Sequence, residues 1–292
     1  MRIVVTGASG QLGAYLLEEL ARCGRHTVLA WSRAATGLRI GAELLPVELT
    51  DAAALAHALA MAQPDVILHA AAMSTADAVI RDKARAWAVN VEATRNLADW
   101  CGAHRRKLVF TSTDLVFDGT RGWYREDDQP HPLLEYARTK AAAEPLVLQV
   151  PGGLVARISL LFGPSKCGRD SFFDRACTAL RAGKPQAFFD DEFRTPLDYR
   201  TAARSLIRLA EVNASSIVHV AGAERVSRFE LMRRVAQAMG LDLGLIQANK
   251  RSDANFAEPR PEDVSLESSR LIELLPDLDR SSIKEAVCLF QD

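Results

Sequence analysis

The sequence predicts an α/β fold, a doubly wound parallel sheet with a smaller lobe at the C-terminal end. Two observations predict it. First, an apolar run (2–6) leads directly into a glycine-rich turn (7–13), which is followed by apolar residues at helical spacing (14–21). Strand, glycine turn and helix in this order are typical of a dinucleotide-binding βαβ unit. Second, apolar segments alternate with helical patterns further along, as expected for parallel strands covered on both faces. The fold class is therefore Rossmann-like.

The first half of the chain predicts regularly spaced elements. Strands are expected at 2–6, 27–31, 44–48, 65–68, 107–112 and 153–157. Helices are expected at 14–21, 52–62, 83–101 and 135–148, and Asp51 is a suitable N-cap for the second of them.

The regular alternation ends after Gly163-Pro164. Beyond this point helices are expected at 171–182, 228–239 and 281–289, and strands at 186–189 and 216–220. We therefore expect a dinucleotide-binding domain at 1–162, to which 195–222 returns. Residues 163–194 and 223–292 are expected to form the smaller lobe.

Composition excludes several classes of function. The 292 residues are 48% hydrophobic and 25% charged, ordinary values for a globular protein, and the net charge of −1 argues against general binding to nucleic acid or anionic membranes. No apolar stretch is long enough to cross a membrane, and Met1 leads directly into the first strand without a signal peptide, so we expect a cytoplasmic protein. The five cysteines are scattered and form no C-x-x-C pair, which predicts reduced thiols and no metal site.

Each glycine of the turn has a predicted task. Gly7 would let the chain turn sharply off the strand, Gly10 would let the backbone approach a pyrophosphate, and Gly13 would let the helix pack against the strand. The helix N-terminus would then present free N–H groups to the phosphates.

The end of the second strand indicates which dinucleotide is bound. An acidic residue about twenty positions after the turn would bind the ribose hydroxyls of NAD. This chain has Ser32-Arg33 there instead, and an arginine suits the 2′-phosphate of NADP. NADP(H) is therefore favoured, with NAD(H) possible.

A tyrosine and a lysine four residues apart are the candidate catalytic pair. On a helix, Tyr136 and Lys140 share a face, and a nearby cation is expected to lower the pKa of a phenol. The fifth strand ends in hydroxyl residues, 111–113, followed by Asp114, at the edge where such sheets bind ligands.

Together these motifs resemble the extended short-chain dehydrogenase/reductases over essentially the whole chain. The matching stretches are 6–13, 69–72, Asn90, Thr113-Asp114, Tyr136 to Lys140 and Arg157. Within that family the chain is most similar to the dTDP-4-dehydrorhamnose reductase group, and three stretches carry this similarity: 112–119, 193–196 and 260–271.

The resemblance implies roles for individual residues. Tyr136 would donate a proton to a sugar carbonyl, Thr113 would hydrogen-bond the same oxygen, and Lys140 would hold the nicotinamide ribose. The implied cofactor-binding residues are Gly7, Gly10, Gln11, Leu12, Gly13, Ser32, Arg33, Glu48, Leu49, Ala70, Ala71, Ala72 and Lys140. The substrate-binding candidates are Asp114, Trp123 and Arg260 in the cleft beside the smaller lobe, which becomes a substrate lobe.

The implied activity is an NADP(H)-preferring reduction of a keto group on a nucleotide-activated deoxysugar. The chain departs from the group at Leu115, Ala137 and Leu160, where an aromatic, a glycine and a tryptophan are usual. These departures lie on the sugar side of the site.

Two other functions stay open. A sugar-nucleotide epimerase or dehydratase of the same fold needs the same threonine, tyrosine and lysine. Leu115 removes an acid that dehydratases use, and Arg33 disfavours the NAD of epimerases. A non-catalytic NADP-binding regulatory subunit is the other, since the regulatory subunit of methionine adenosyltransferase resembles this group. Helix-mediated homodimers are common in such folds, so a homodimer is possible.

Overall fold

An eight-stranded sheet forms the centre of the computed structural model, which describes residues 1–290. The chain contains fourteen strands in this range. In chain order they are β1 (Arg2–Thr6), β2 (Thr27–Ser32), β3 (Gly37–Arg39), β4 (Ala42–Pro46), β5 (Val66–His69), β6 (Lys107–Thr113), β7 (Leu154–Ile158), β8 (Leu161–Phe162), β9 (Gln186–Phe189), β10 (Phe193–Arg194), β11 (Leu197–Asp198), β12 (Ser216–Val220), β13 (Val226–Ser227) and β14 (Ile246–Asn249). The central sheet has the order β12-β7-β6-β5-β1-β2-β4-β3, and only β3 runs antiparallel to its neighbour.

Helices cover both faces of this sheet. They are α1 (Gln11–Cys23), α2 (Ala52–Ala62), α3 (Ala76–Arg81), α4 (Lys83–Trp87), α5 (Ala93–His104), α6 (Glu135–Leu148), α7 (Phe172–Arg181), α8 (Tyr199–Glu211), α9 (Arg228–Ala238), α10 (Ser269–Leu274) and α11 (Ile283–Cys288). Residues of α1 and α8 fill one core, and residues of α2, α5 and α6 fill the other. The predicted doubly wound α/β fold is confirmed.

The strand order places a ligand-binding crevice at β1. This strand pairs with β2 on one side and with β5 on the other, so the chain winds in opposite directions from it. Thr6 and His69 are register partners at the carboxyl ends of β1 and β5. In open α/β sheets ligands bind in the crevice outside such a switch point.

Two local predictions were wrong in detail. The third predicted strand lies two residues earlier, as β4, and forms a hairpin with the unpredicted β3. The hairpin turns through Ile40 and Gly41, both in the left-handed region (φ 49° and 75°), and Ile-Gly is not a usual turn sequence. The predicted helix at 83–101 is divided into α4, a π-helical turn (Ala88–Glu92) and α5.

The chain returns to the main sheet after forming part of the smaller lobe. Helix α8, which was not predicted, begins at the N-cap Asp198 and packs on α1, and β12 joins the sheet beside β7. Three two-stranded pairs, β8-β11, β10-β13 and β9-β14, lie outside the main sheet. Leu271 and Leu275, which fall in the expected lobe segment 223–292, pack instead in the main core. None of the helices in residues 1–290 combines the length and apolar character that a membrane crossing needs.

Two helical glycines are expected to respond oppositely to alanine. A Cβ at Gly13 would lie 2.2 Å from the Gly7 carbonyl oxygen, whereas a Cβ at Gly102 in α5 would meet nothing within 4 Å. Gly13→Ala should therefore lower the free energy of unfolding by about 1–3 kcal/mol, the usual cost of overpacking. Gly102→Ala should raise it by about 0.5–1 kcal/mol through helix propensity. Urea unfolding curves measure both free energies. A stabilisation by both substitutions would contradict the packing role of Gly13.

Candidate active site

The glycine turn has the geometry that a bound phosphate group needs. Gly7 lies in the left-handed region (φ 69°), and a Cβ there would approach the Ala71 nitrogen to 2.7 Å. Gly10 caps α1 without a side-chain hydrogen bond, so the first N–H groups of the helix have no capping side chain. The helix N-terminus therefore offers N–H groups and the positive end of its dipole to an anion.

The side chain of Gln11 contacts protein rather than facing the turn. Its amide donates to the Pro164 carbonyl at 2.8 Å and accepts from Ser165 Oγ and the Lys166 nitrogen. The Tyr15 hydroxyl donates to the same carbonyl. A contact of Gln11 with a dinucleotide would thus use its backbone N–H, as would a contact of the half-buried Leu12.

A buried histidine fixes the segment that follows β5. Thr6 Oγ1 lies 2.7 Å from His69 Nδ1, and Thr94 Oγ1 lies 3.0 Å from His69 Nε2. Thr6 Oγ1 also accepts a hydrogen bond from the Ala71 nitrogen. Burial, with a smaller contribution from Lys140, lowers the His69 pKa to about 3, so the ring is neutral and structural. Residues 70–72 are half-buried and border the crevice.

The residues expected at the adenosine end lie on the β2 side of the turn. Arg33 is exposed immediately after β2, and the hydroxyl of the buried Ser32 donates to the Ala35 carbonyl. Glu48 Oε1 accepts from Thr50, while Leu49 is buried. Arg33 is thus available to a 2′-phosphate.

The π-helical turn aims Asn90 into the protein. The Asn90 amide exchanges two hydrogen bonds with the backbone of Met73 and donates a third to Thr139 Oγ1 at 2.9 Å. These bonds join the segment after β5 to the helix of the tyrosine–lysine pair. The resemblance included Asn90 as a matching residue, but the sequence did not reveal this positioning role.

Lys140 is the most unusual ionisable group at this edge. It is 1% exposed, its ammonium lies 3.9 Å from the centroid of the Phe110 ring, and no acceptor in residues 1–290 hydrogen-bonds its Nζ. Burial lowers its pKa to about 7, against an opposing contribution from Glu144. A buried amine without a partner fits a site whose acceptors are supplied by a ligand.

The expected effect of Lys140 on Tyr136 is not observed. Burial, assisted by the Asp114 carboxylate, raises the Tyr136 pKa above its ordinary value. Desolvation dominates because the phenol and the amine are both removed from water and the amine loses part of its own charge. Tyr136 is therefore a protonated acid at neutral pH.

Helix α6, which carries Tyr136 and Lys140, is fastened to the sheet by a buried ion pair. Arg157 Nη2 donates to Glu144 Oε2 at 2.8 Å, and Ser112 Oγ donates to Glu144 Oε1 at 2.6 Å. Arg157 also donates to the Glu126 carbonyl in the loop before α6. These contacts set the position of α6 against β6 and β7.

Thr113 and Asp114 end β6 in a buried polar network. Thr113 Oγ1 donates to Asp114 Oδ1 at 3.2 Å, and Ser159 Oγ donates to Asp114 Oδ2 at 3.0 Å. Arg194 Nη1 donates to Asp114 Oδ1 at 2.9 Å. Asp114 is 2% exposed, and its contact with a substrate stays a prediction.

Three arginines converge on one buried carboxylate in the smaller lobe. Glu192 is fully buried and accepts from Arg194, Arg228 and Arg260 at 2.8–3.2 Å. Burial acts to raise the Glu192 pKa, but the three guanidinium groups together lower it to about 2. Arg260 also lies over the Phe256 ring, at 4.7 Å from its centroid. The sequence motif at 193–196 pointed to Arg194; no pattern pointed to Glu192, Arg228 or Ser159.

The remaining substrate-side candidates lie apart. Trp123 is 49% exposed in the loop before α6, and its backbone is left-handed (φ 46°). Its backbone N–H donates to Ser265 Oγ. Leu160 packs against the core around Phe162. Their contact with a substrate stays a prediction.

One group of residues far from this edge has metal-ligand chemistry. Cys23, His26 and Glu211 place one ligand atom each within 4.8 Å of one another. The Arg25 guanidinium donates to both Cys23 Sγ and Glu211 Oε1 at 2.9 Å, so a cation already occupies this place.

Comparison with known proteins agrees with this arrangement. The model of the RmlD substrate binding domain matches residues 1–288. A "Probable low-salt glycan biosynthesis reductase" of Haloferax volcanii is 30% identical, covering 93% of this chain and 91% of that protein. The "Methionine adenosyltransferase 2 subunit beta" of Bos taurus is 31% identical over 92% of this chain and 81% of that protein. A dTDP-4-dehydrorhamnose reductase of Mycobacterium tuberculosis is 31% identical over 89% and 82%.

Solved structures share the whole architecture. A hypothetical dTDP-4-dehydrorhamnose reductase from Sulfolobus tokodaii superposes with a TM-score of 0.83 at 32% identity, covering 97% of this chain and 98% of the other. The Bacillus anthracis dTDP-4-dehydrorhamnose reductase in complex with NADP has a TM-score of 0.87 at 22% identity, covering 99% and 98%. The chain belongs to the family of the RmlD substrate binding domain, the group of the dTDP-4-dehydrorhamnose reductases.

Proposed function

We propose that this protein is an NADP(H)-preferring reductase of a keto group on a nucleotide-activated deoxysugar. One observation carries the proposal: a buried lysine without a hydrogen-bond partner in the described residues lies one helical turn after a half-buried, protonated tyrosine. A pure binding module has no need of such an acid beside an unpartnered amine. The similar reductase of M. tuberculosis supports the choice of substrate class.

Residues along the crevice offer contacts to the successive parts of a dinucleotide. Gly7, Gly10 and the first N–H groups of α1 would hold the diphosphate, and Arg33 would pair with a 2′-phosphate. Lys140 would donate to the hydroxyls of the nicotinamide ribose, which are the acceptors it lacks within the described chain. When bound, the nicotinamide supplies a hydride. The neighbouring B. anthracis structure holds NADP, in agreement with this assignment.

Tyr136 and Thr113 would complete the reduction of the carbonyl group. Negative charge develops on the carbonyl oxygen as hydride arrives, and preorganised donors stabilise it. The Tyr136 phenol, kept protonated by burial and by Asp114, gives its proton to that oxygen. The Thr113 hydroxyl donates to the same oxygen from the end of β6.

The arginines of the smaller lobe suit a nucleotide diphosphate. Arg228 and Arg260 share Glu192 with Arg194, so three cations surround one carboxylate and leave a local excess of positive charge. Arg260 and Phe256 offer a stacking surface beside it. Charge and aromatic surface together favour a nucleotide-linked sugar over a free one.

A regulatory subunit is the second candidate, supported by the similarity to the methionine adenosyltransferase 2 subunit beta of Bos taurus. In that function NADPH would bind without turnover, and the partner would be another protein chain.

The test of the proposed function is Tyr136→Phe. Loss of the acid should reduce kcat with NADPH and a panel of nucleotide-4-ketosugars by about 100-fold or more, with NADPH affinity retained. Tyr199→Phe is the matched control, since this tyrosine stacks on Tyr15 at 5.2 Å and lies outside the candidate site. Its kcat should equal that of the wild type.

Deuterium from labelled NADPH should appear in a stable product. Isomerisation without net NADPH consumption would favour an epimerase instead. NADPH binding without turnover on any ketosugar of the panel would favour the regulatory function.

Arg33→Ala tests the choice of cofactor. Losing a charge-assisted contact worth about 1.5–3 kcal/mol should weaken NADPH binding by about tenfold or more and leave NADH binding almost unchanged. Isothermal titration with both cofactors measures this. Arg233→Ala, at an exposed position on α9, is the control and should alter neither affinity. Parallel losses for the two cofactors would show that Arg33 does not read the 2′-position.

Lys140→Met should stabilise the cofactor-free protein, and more so at low pH. The Lys140 pKa falls from 10.5 to about 7 on folding, so below pH 7 the buried amine is charged and its desolvation penalty is complete. The penalty disappears as the pH rises from 7 towards 10.5, because the folded state releases its proton first. The gain in Tm should therefore be larger at about pH 6 than at about pH 9.

Lys107→Met is the control for this prediction. The Lys107 ammonium is also partly buried but donates to the Leu209 and Val212 carbonyls, so its removal should lower the Tm. A Lys140→Met protein that is less stable than the wild type at about pH 6 would show that Lys140 has structural partners.

A further inference from the structure

Arg194 connects the smaller lobe to the end of β6 through carboxylates on both sides. It is 4% exposed; Nη1 donates to Asp114 Oδ1 at 2.9 Å and Nη2 donates to Glu192 Oε1 at 3.1 Å. It belongs to β10, which pairs with β13, so it comes from an element outside the main sheet. The Tyr136–Lys140 motif and the residues around it indicate no role for Arg194.

We propose that Arg194 is a positioning residue of the catalytic centre, which neutralises Asp114 so that the Thr113 hydroxyl is free to turn to the substrate oxygen. The proposal rests on the reductase function proposed above. Arg194 itself touches neither the reacting atoms nor the cofactor crevice.

Two donors compete for one oxygen of Asp114. The Thr113 hydroxyl reaches Oδ1 at 3.2 Å, whereas the guanidinium reaches the same atom at 2.9 Å. The guanidinium–carboxylate bond joins two ionised groups, whereas in the bond from the threonine hydroxyl only the acceptor is charged. With Arg194 in place, Asp114 therefore keeps a strong donor when Thr113 turns away, and the rotation costs little. Without Arg194, the anion would retain the threonine proton.

The surroundings of Asp114 make this neutralisation necessary. The groups facing it are Tyr136 from α6, the hydroxyls of Thr113 and Ser159, and Arg194 from β10. Arg194 is the cation among them in the described structure, with Glu192 behind it. A buried carboxylate without its cation is costly and binds a proton more readily.

Glu192 holds Arg194 in the required direction. It accepts from Arg194 on one side and from Arg228 and Arg260 on the other, so the smaller lobe fixes the far end of the guanidinium. The hydrogen bonding of Thr113 thus depends on Arg194, a residue of the lobe that would bind the nucleotide. The two halves of the site share one chain of ion pairs, Asp114–Arg194–Glu192.

Three variants test the proposal in the full-length protein. Arg194→Met should lower kcat for the ketosugar by about 10- to 100-fold, with its KM and the NADPH affinity changed by less than about threefold. Arg194→Lys keeps a cation and should recover most of that loss. Asp114→Asn combined with Arg194→Met removes the anion that retains the threonine proton, so it should be faster than Arg194→Met alone.

Arg225→Met is the matched control. Arg225 comes from the same region, packs over Phe193 and pairs with Asp263 at 2.7 Å, but does not contact Asp114. It should lower the Tm without lowering kcat. A loss of kcat in Arg225→Met equal to that in Arg194→Met would reduce the role of Arg194 to general stability and overturn the proposal.

A readout without turnover separates this proposal from the proposed function. In Arg194→Met the Asp114 carboxylate stays buried without its cation, so the Tm of that variant should be lower than that of the double variant, which lacks the carboxylate. Equal Tm values in the two proteins would refute the neutralising role of Arg194.

The outcomes are distinguishable. If the wild type has no turnover on any ketosugar, the reductase function fails, and the difference in Tm alone decides whether Arg194 neutralises Asp114. If turnover is present, a change confined to KM, or a double variant no faster than Arg194→Met, overturns the positioning role.

Discussion

The burial of one ammonium group without a partner is the constraint that the rest of the site depends on. A fully desolvated lysine costs stability, and the structure offers Lys140 only the Phe110 ring within the described chain. Such a group persists only when the surrounding structure fixes it. The Asn90–Thr139 contact and the Glu144–Arg157 pair do this, because they hold α6 against the sheet from two sides. The stability lost at Lys140 is offset by packing elsewhere in α6, which is how functional sites are commonly built.

The part of the candidate site that would bind the cofactor depends on local sequence, and for that reason its geometry could be predicted. Gly7, Gly10 and Gly13 lie in one turn, and their backbone requirements follow from the turn alone. Tyr136 and Lys140 lie one helical turn apart, so their shared face follows from helix geometry. The doubly wound sheet could be predicted because its strands are apolar throughout and separated by helices. By contrast, the β3–β4 hairpin turns at Ile40, a residue type that gives no turn signal, and the π-turn at Asn90 has no periodicity of its own.

The substrate half could not be predicted in the same way, because it is assembled from distant segments. Asp114 and Arg194 are eighty residues apart, and Glu192 joins arginines from three separate elements or loops. The resemblance implied that Asp114 contacts the substrate, and no residue near Asp114 in the chain indicates its pairing with Arg194. The expectation that Lys140 lowers the Tyr136 pKa was wrong for a related reason: spacing on a helix shows which groups are close, but not how much water each has lost. Desolvation is a property of the packed chain.

A series of buried ion pairs joins the two halves of the site. A buried ion pair such as Asp114–Arg194 adds little net stability compared with apolar residues of similar volume, so stability alone does not explain a chain of charges that joins two parts of the molecule. These ion pairs instead fix the position of the lobe relative to the sheet. Because Glu192 is bonded to the arginines of the lobe and to Arg194, a shift of the lobe relative to the sheet would displace the guanidinium from Asp114. The donor geometry at Thr113 is therefore conditional on the position of the lobe relative to the sheet. The glycine turn is connected to the lobe as well, because the Gln11 side chain contacts Pro164, Ser165 and Lys166. On this physical basis, a shift of the lobe would affect both ends of the crevice, through Gln11 at the glycine turn and through Arg194 at Thr113.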